Sequence, residues 1–342
     1  MCFGLSNVLE AQIVEPQLKC FYIGYDMGMC RIDDFTDVLM DVIVDFAFGY
    51  HTGILKTYNR RLLKEAAKSI YGIKEYCDVK WTYVNNDSEL NDDDIKAEDK
   101  ILKRGEFGEL ILHTVLRDYF NSVPLLSKIY FKDSDGPTVH GFDCVHIGPD
   151  LTNNNKYSLF LGESKIYNRK DGTAGSKGIT DLVGDIKAHF SRDFLIRECV
   201  IVSKKKDSFK QLQEYCDANT KTEYELFLEK KINWYGFLEN VNAGKNKLED
   251  LLNSVTVPLI CTYQSDLFSG NKTDAHPDFE AEYKAEAESL FAKFTKELAN
   301  AKREVNIPET SRINILLILL PIPSKKDLIK KLHQKLYNQQ NA

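Results

Sequence analysis

The sequence predicts a mixed α/β protein: a central mixed sheet flanked by helices, with an N-terminal and a C-terminal extension. Two observations carry this. Short apolar runs alternate along the chain with longer stretches of helical period. Within residues 139–165, two strand-like runs flank the polar turn GPDLTNNN and read as a hairpin. At 342 residues, 43% hydrophobic and 28% charged, the chain has the composition of a soluble protein with ample core.

Taken in order, residues 17–30 read as a strand, and Asp33 as the cap of a helix running to about Phe48. A second helix, 54–71, carries a basic face. A short strand at 78–84 leads to the acidic run 85–99, read as an exposed loop and a domain boundary. The helix 101–120 has apolar residues on two faces, with Glu109 inside the second face and Glu106 on its flank. A strand at 128–132 leads into the hairpin. The loop 166–178 is rich in glycine and basic residues and precedes a helix from Ile179. Next come a strand at 198–203, two helices to about Lys231, a strand at 255–263 and a long charged helix at 277–304. The strand 313–320 is expected to stop at Pro321, and Ser324 to cap a last amphipathic helix with a Leu328, Leu332, Leu336 stripe. These boundaries divide the chain into 1–98, 99–210 and 211–342, the last segment extending and bracing the same sheet.

The hairpin holds the chemistry. Its second strand is built on Tyr157, Leu159, Phe160 and Leu161, yet it ends in Glu163-Ser164-Lys165, and its partner carries Asp143. Charges inside apolar strands are costly unless paired or bound to metal. Residues two apart on a strand share a face, so Glu163 and Lys165 point the same way. Asp143 joins them if the register allows, and Glu109 or Glu106 completes the shell from the upstream helix. Carboxylates are hard ligands suited to Mg²⁺ or Mn²⁺. Such an ion activates water and neutralises charge on a phosphate, while Lys165 orients the water, deprotonates it, or stabilises the oxygens. Phosphodiester hydrolysis is the reaction this set suits. Arg169, Lys170 and Lys177 are read as phosphate contacts in a mobile loop; that loop lacks P-loop spacing. Other acid-x-Lys triplets, Asp185-Ile186-Lys187 among them, are set aside as decoys because they lie in polar or helical settings.

The segments RGEFGELIL, HGFDCVHI and FLGESKIY, within the order helix with Glu, strand, strand with Asp, strand with ExK, helix, strand, resemble the PD-(D/E)xK nuclease fold. More narrowly they resemble the HamA family of the Hachiman anti-phage defence system, over most of the chain. The departure is Phe142 where the motif's name places proline. The resemblance implies a metal-dependent DNase working with a superfamily 2 helicase of the HamB type. It carries the family's site onto Asp143, Glu163 and Lys165, with Glu109 ahead of Glu106 for the helix ligand. A net charge of −6 argues against DNA binding through global basicity and leaves DNA affinity to the helicase. The alternatives are a regulatory subunit on a nuclease-derived fold, or a restriction-type endonuclease, for which no separate recognition module is visible. Eight scattered cysteines without a CxxC pair, no secretory signal and no membrane-length apolar run place the chain in a reducing cytoplasm, away from the membrane.

Overall fold

The computed structural model describes residues 4–49, 60–71, 105–126, 142–152, 156–169, 171–191, 195–197, 221–304 and 313–341. The strands are β1 (Leu9–Val14), β2 (Leu18–Ile23), β3 (Tyr25–Asp26), β4 (Met29–Cys30), β5 (Val123–Pro124), β6 (Cys144–Pro149), β7 (Tyr157–Tyr167), β8 (Val255–Gln264) and β9 (Asn314–Ile322). The α-helices are α1 (Ile32–Asp41), α2 (Ile43–Phe48), α3 (Arg60–Ile70), α4 (Gly105–Phe120), α5 (Ala174–His189), α6 (Lys221–Asn242), α7 (Leu248–Leu252), α8 (Phe279–Glu304) and α9 (Lys325–Asn341). Seven strands form one mixed sheet in the order β1-β2-β9-β8-β7-β6-β5. Its centre, β7-β8-β9, is parallel, and β6 and β5 continue it antiparallel. Strands β8 and β9 are buried on both faces, which is why they read as continuous apolar runs.

Alternation along the strands divides the core in two. Phe160 and Ile166 of β7, Ile260 of β8, and Leu316, Ile318 and Leu320 of β9 face the side covered by α1–α4 and α9. Leu159, Leu161, Val257, Leu259, Leu317 and Leu319 face the side covered by α5, α6 and α8. The amino-terminal segment is tied to α4 through Asp118, which accepts from the Leu5 amide at 2.8 Å and from Arg117 at 2.7 Å. Under α4, His113 Nδ1 lies 3.1 Å from His146 Nε2, and Ser122 Oγ lies 2.9 Å from His146 Nδ1. Burial pushes the His146 imidazole down to about 3, so this imidazole is neutral.

Several sequence expectations change. Residues 17–30 are not one strand: β2 ends at Ile23, and Met27 and Gly28, both at positive φ, turn the chain into the small β3–β4 hairpin. Strand β1, absent from the sequence reading, adds an antiparallel edge. The helix expected over 33–48 breaks at Val42 into α1 and α2, and Asp33 lies inside α1 rather than capping it. Helix α6 continues past Lys231 to Asn242. Strand β9 runs through Pro321 to Ile322, where Pro321 pairs with Tyr263 and Ile322 with Gln264. The Ser324 cap is present, its Oγ accepting from the Asp327 amide at 3.1 Å. The cysteines Cys20, Cys30, Cys144 and Cys261 are free thiols. Among the described residues, no helix is long and apolar enough to cross a membrane. The expected strands at 78–84, 128–132 and 198–203 and the acidic run 85–99 lie outside the described residues.

Close approach, not flexibility, explains two glycines near the hairpin. A Cβ on Gly162 would lie 2.5 Å from Cys144 Sγ and 2.9 Å from Leu112 Cδ2, so α4 sits directly on β7 here. A Cβ on Gly178 would lie 2.3 Å from Cys261 Sγ, which brings α5 onto β8. Gly162→Ala is therefore expected to cost about 1–3 kcal/mol through overpacking. Equilibrium urea unfolding measures this; an unchanged midpoint would refute the close packing of α4 on β7.

Candidate active site

The site is built from the β6–β7 hairpin outward. Cys144 pairs with Gly162 and Pro149 with Tyr157, so the register places Asp143 opposite Glu163. The Asp143 amide donates to Gly162 O at 2.9 Å, continuing the ladder by one residue. The Asp143 carboxylate turns along β7, where Oδ2 accepts from the Ser164 amide at 2.8 Å and from Ser164 Oγ at 2.7 Å. At the other end of the hairpin, Asp150 closes the turn by accepting from the Thr152 amide at 2.8 Å and from Ser158 Oγ at 3.1 Å.

Glu163, Lys165 and Tyr167 alternate onto the sheet face covered by α5, and each meets a polar residue one helical turn further along that helix. Tyr167 donates its hydroxyl proton to Asp181. Lys165 Nζ lies 2.5 Å from Asp185 Oδ2. Glu163 Oε1 lies 2.8 Å from His189 Nδ1. Lys177 extends the ladder on the helix side, its Nζ 2.7 Å from Asp181 Oδ1. Asp185, set aside on sequence as part of a decoy triplet, thus contacts the central lysine. His189 had no sequence signal of its own. What could have found both is the spacing: Asp181, Asp185 and His189 recur every four residues, matching the every-second-residue series on β7.

Electrostatics give these groups distinct roles. Glu163 is 4% exposed. Burial, with the negative charges of Asp143 and Asp185, holds its carboxyl well above the ordinary carboxylate range, against the pull of Lys165. Burial alone would lower Lys165, but the Asp185 carboxylate, with Asp143 and Glu163, outweighs it and raises the ammonium above its usual value. Lys165 is therefore a fixed cation at neutral pH, suited to stabilising phosphate oxygens rather than taking a proton. Burial pushes the His189 imidazole down despite Asp185.

Gly105, Asp143, Ser164, Lys165, Tyr167 and Lys325 line a pocket of about 210 Å³ beyond the carboxyl end of β7, where open α/β sheets bind their ligands. A hollow of about 420 Å³ beside β1 is lined mainly by apolar residues such as Val14, Phe21 and Leu151, and it gathers no carboxylates.

Helix α4 lies on the opposite sheet face from Glu163 and Lys165: a Cβ on Gly108 would meet Ser164 Oγ at 3.1 Å. It reaches the pocket with its first turn, through Gly105. Glu109, half-buried, follows Gly105 by one turn on the same stripe, and Glu106 is half-buried at the helix start.

The basic residues expected to contact phosphate are placed differently. Lys177 belongs to α5, which begins at Ala174 and not at Ile179, because Asp171 fixes the turn before it by accepting from Thr173 Oγ1 at 2.6 Å. Arg169 lies 3.7 Å from Asp171. Lys170 lies outside the described residues.

Among the described residues, no three His, Cys, Asp or Glu side chains stand close enough to hold a metal on their own. Mg²⁺, however, is usually held by one or two carboxylates together with waters and substrate phosphates. Asp143 and Glu163 are hard oxygen donors of that kind, and the Glu163 pKa is raised first by burial and then by the neighbouring charges of Asp143 and Asp185.

Fold and pocket together define a mixed α/β protein with a carboxylate–lysine site at the carboxyl end of its sheet. The HamA family model matches residues 5–336, and the chain belongs to that family, a component of the Hachiman anti-phage defence system. No curated protein matches the sequence.

Because the folded-state pKa of Glu163 is raised, the native state binds a proton more tightly than the unfolded chain does. Stability from this group is present below the unfolded carboxylate value and lost as pH rises through the folded one. Glu163→Gln should therefore melt a few degrees above wild type at pH 7–8, with the gap closing toward pH 4. Added Mg²⁺ should raise the wild-type melting temperature and leave Glu163→Gln unmoved. Scanning calorimetry across pH checks both. A Glu163→Gln variant less stable at pH 8 than at pH 4, relative to wild type, would contradict this electrostatic assignment.

Proposed function

We propose that this protein is a metal-dependent, sequence-nonspecific DNA nuclease built on a PD-(D/E)xK core, acting as the effector of its defence complex beside a superfamily 2 helicase. One observation carries the proposal: Glu163 and Lys165 share a face of β7, and the hairpin register sets Asp143 opposite Glu163. The order α4, β5, β6, β7, α5, followed after α6 and α7 by β8, with β5–β7 antiparallel and β8 parallel to β7, supports the nuclease core; the strand expected at 198–203 lies outside the described residues.

Asp143 and Glu163 would hold Mg²⁺ or Mn²⁺, with Glu109, or Glu106, as the further carboxylate from α4. The bound ion supplies Lewis acidity at the scissile phosphate and acidifies the attacking water. Ser164 orients Asp143 through two hydrogen bonds. Lys165, kept protonated by Asp185, stabilises charge developing on the phosphate oxygens. Asp185 and His189 are positioning residues that fix Lys165 and Glu163. A net charge of −6 leaves most of the grip on DNA to the helicase.

A second reading, a regulatory subunit in which these residues serve as buried ion pairs, draws on the Lys165–Asp185 and Glu163–His189 contacts themselves. Supercoiled plasmid incubated with Mg²⁺ and the chain, alone and with its helicase, separates the two. Nicking or degradation abolished by EDTA is expected, with Glu163→Ala and Lys165→Ala each lowering the rate roughly 10²–10³-fold while the fold is retained. No cleavage under any partner or metal condition favours the regulatory reading, and cleavage by Glu163→Ala refutes the site.

A further inference from the structure

Strand β1 is the outer strand of the sheet, and among the described residues no strand pairs with its far side. Glu15 and Leu18 exchange backbone hydrogen bonds of 2.9 and 3.3 Å, which makes Val14 and Lys19 the next, non-bonded pair of the ladder. Val14 therefore turns its amide and carbonyl outward, away from β2. It is also 64% exposed. An open edge with an exposed β-branched residue is a template for another strand, and folded proteins normally blunt it. Here a bulge between Ala11 and Ile13 interrupts the first half of β1, where the Tyr119 hydroxyl also reaches Leu9 O at 3.5 Å, while the stretch around Val14 is left open.

A hollow lies on each face of this edge. Towards α4 is the one of about 420 Å³, where Phe21, Tyr119, Phe120 and Leu151 make a mainly apolar lining with Lys19 among them. Towards α8, a second hollow of about 530 Å³ is lined by Val14, Glu15, Glu280, Lys284, Glu288 and Phe291. Glu280, Lys284 and Glu288 recur every four residues as one exposed stripe of α8. Three glutamates against one lysine make this hollow acidic. The side chains of an added strand alternate between the two faces, so the edge asks for apolar residues on one face and Lys or Arg on the other. We propose that β1 is a docking edge for an extended segment of a partner protein in which apolar residues alternate with basic ones. Backbone pairing at Val14 supplies the grip, and the two hollows supply the choice of side chains. A second copy, paired edge to edge about a two-fold axis, would set acidic hollow beside acidic hollow, and a nucleic acid would bring phosphates to it, so neither fits this edge.

The test uses the full-length chain and two fluorescein-labelled decapeptides, one alternating valine with lysine and one alternating valine with glutamate, followed by anisotropy and by amide hydrogen exchange. The lysine peptide should bind about tenfold more tightly than the glutamate peptide at low salt, and it should slow exchange within β1. Val14→Pro removes the outward amide and leaves the β1–β2 ladder its hydrogen bonds. Glu280→Lys combined with Glu288→Lys reverses the charge of the α8 hollow without touching β1, and this variant should melt as wild type does. Each change should weaken the lysine peptide about tenfold, and the double change should also favour the glutamate peptide. Both must act: if either variant binds the lysine peptide as wild type does, the proposal falls. No binding by wild type, or exchange slowed only outside β1, overturns it as well, the latter being adventitious attraction to an acidic chain. A wild-type dimer that Val14→Pro dissociates in analytical ultracentrifugation makes a second copy the occupant and likewise overturns it. Cleavage plays no part in these readouts, so the docking edge and the nuclease reading stand or fall separately.

Discussion

Strand β7 advances about 6.6 Å every two residues and helix α5 about 6 Å every four, so one face of the strand and one stripe of the helix stay in step for three rungs. Those rungs are Tyr167–Asp181, Lys165–Asp185 and Glu163–His189. The rest of the site depends on this match. Each rung places a polar strand residue against a fixed partner, which makes charges tolerable inside a sheet whose neighbours β8 and β9 are apolar on both faces. Gly178 permits the helix to come that close by leaving room for Cys261. Gly162 does the same for α4 on the opposite face, so β7 is gripped from both sides.

Fold class and the hairpin were legible in the sequence because period-two alternation marks strands with a buried face, while the register that sets Asp143 opposite Glu163 came with the structure. Asp143, Glu163 and Lys165 were singled out from residues 139–165 alone. The partners on α5 were not. Asp185 was weighed as a triplet with Lys187, where a linear spacing carries no information. Its meaning comes from register with a strand twenty residues earlier. Glycines 175 and 178 read as loop, though helix–strand packing is what requires them. The break at Val42 and the edge strand β1 were missed for a related reason: tertiary packing overrode local periodicity. Glu109 looked anomalous on an apolar face, and the structure places its helix across the sheet from Glu163, reaching the pocket only with its first turn.

The pocket concentrates features that oppose stability. Next to it, Glu163 is buried near two further carboxylates, Asp143 and Asp185. Native proteins carry such costs where binding or catalysis requires them. Here the cost points to one remedy, a cation near the carboxylates. A metal ion held by Asp143 and Glu163 would supply it. On the proposed reading, an acidic chain of net charge −6 would act on DNA with bulk affinity supplied by the helicase.

The most direct measurement is crystallographic. A crystal of the protein soaked in Mn²⁺ and recorded at the manganese absorption edge should show an anomalous peak beside Asp143 and Glu163, lost in Glu163→Gln. A peak elsewhere, or none at this position under saturating Mn²⁺, would contradict the account of the site as a metal-dependent phosphodiesterase centre.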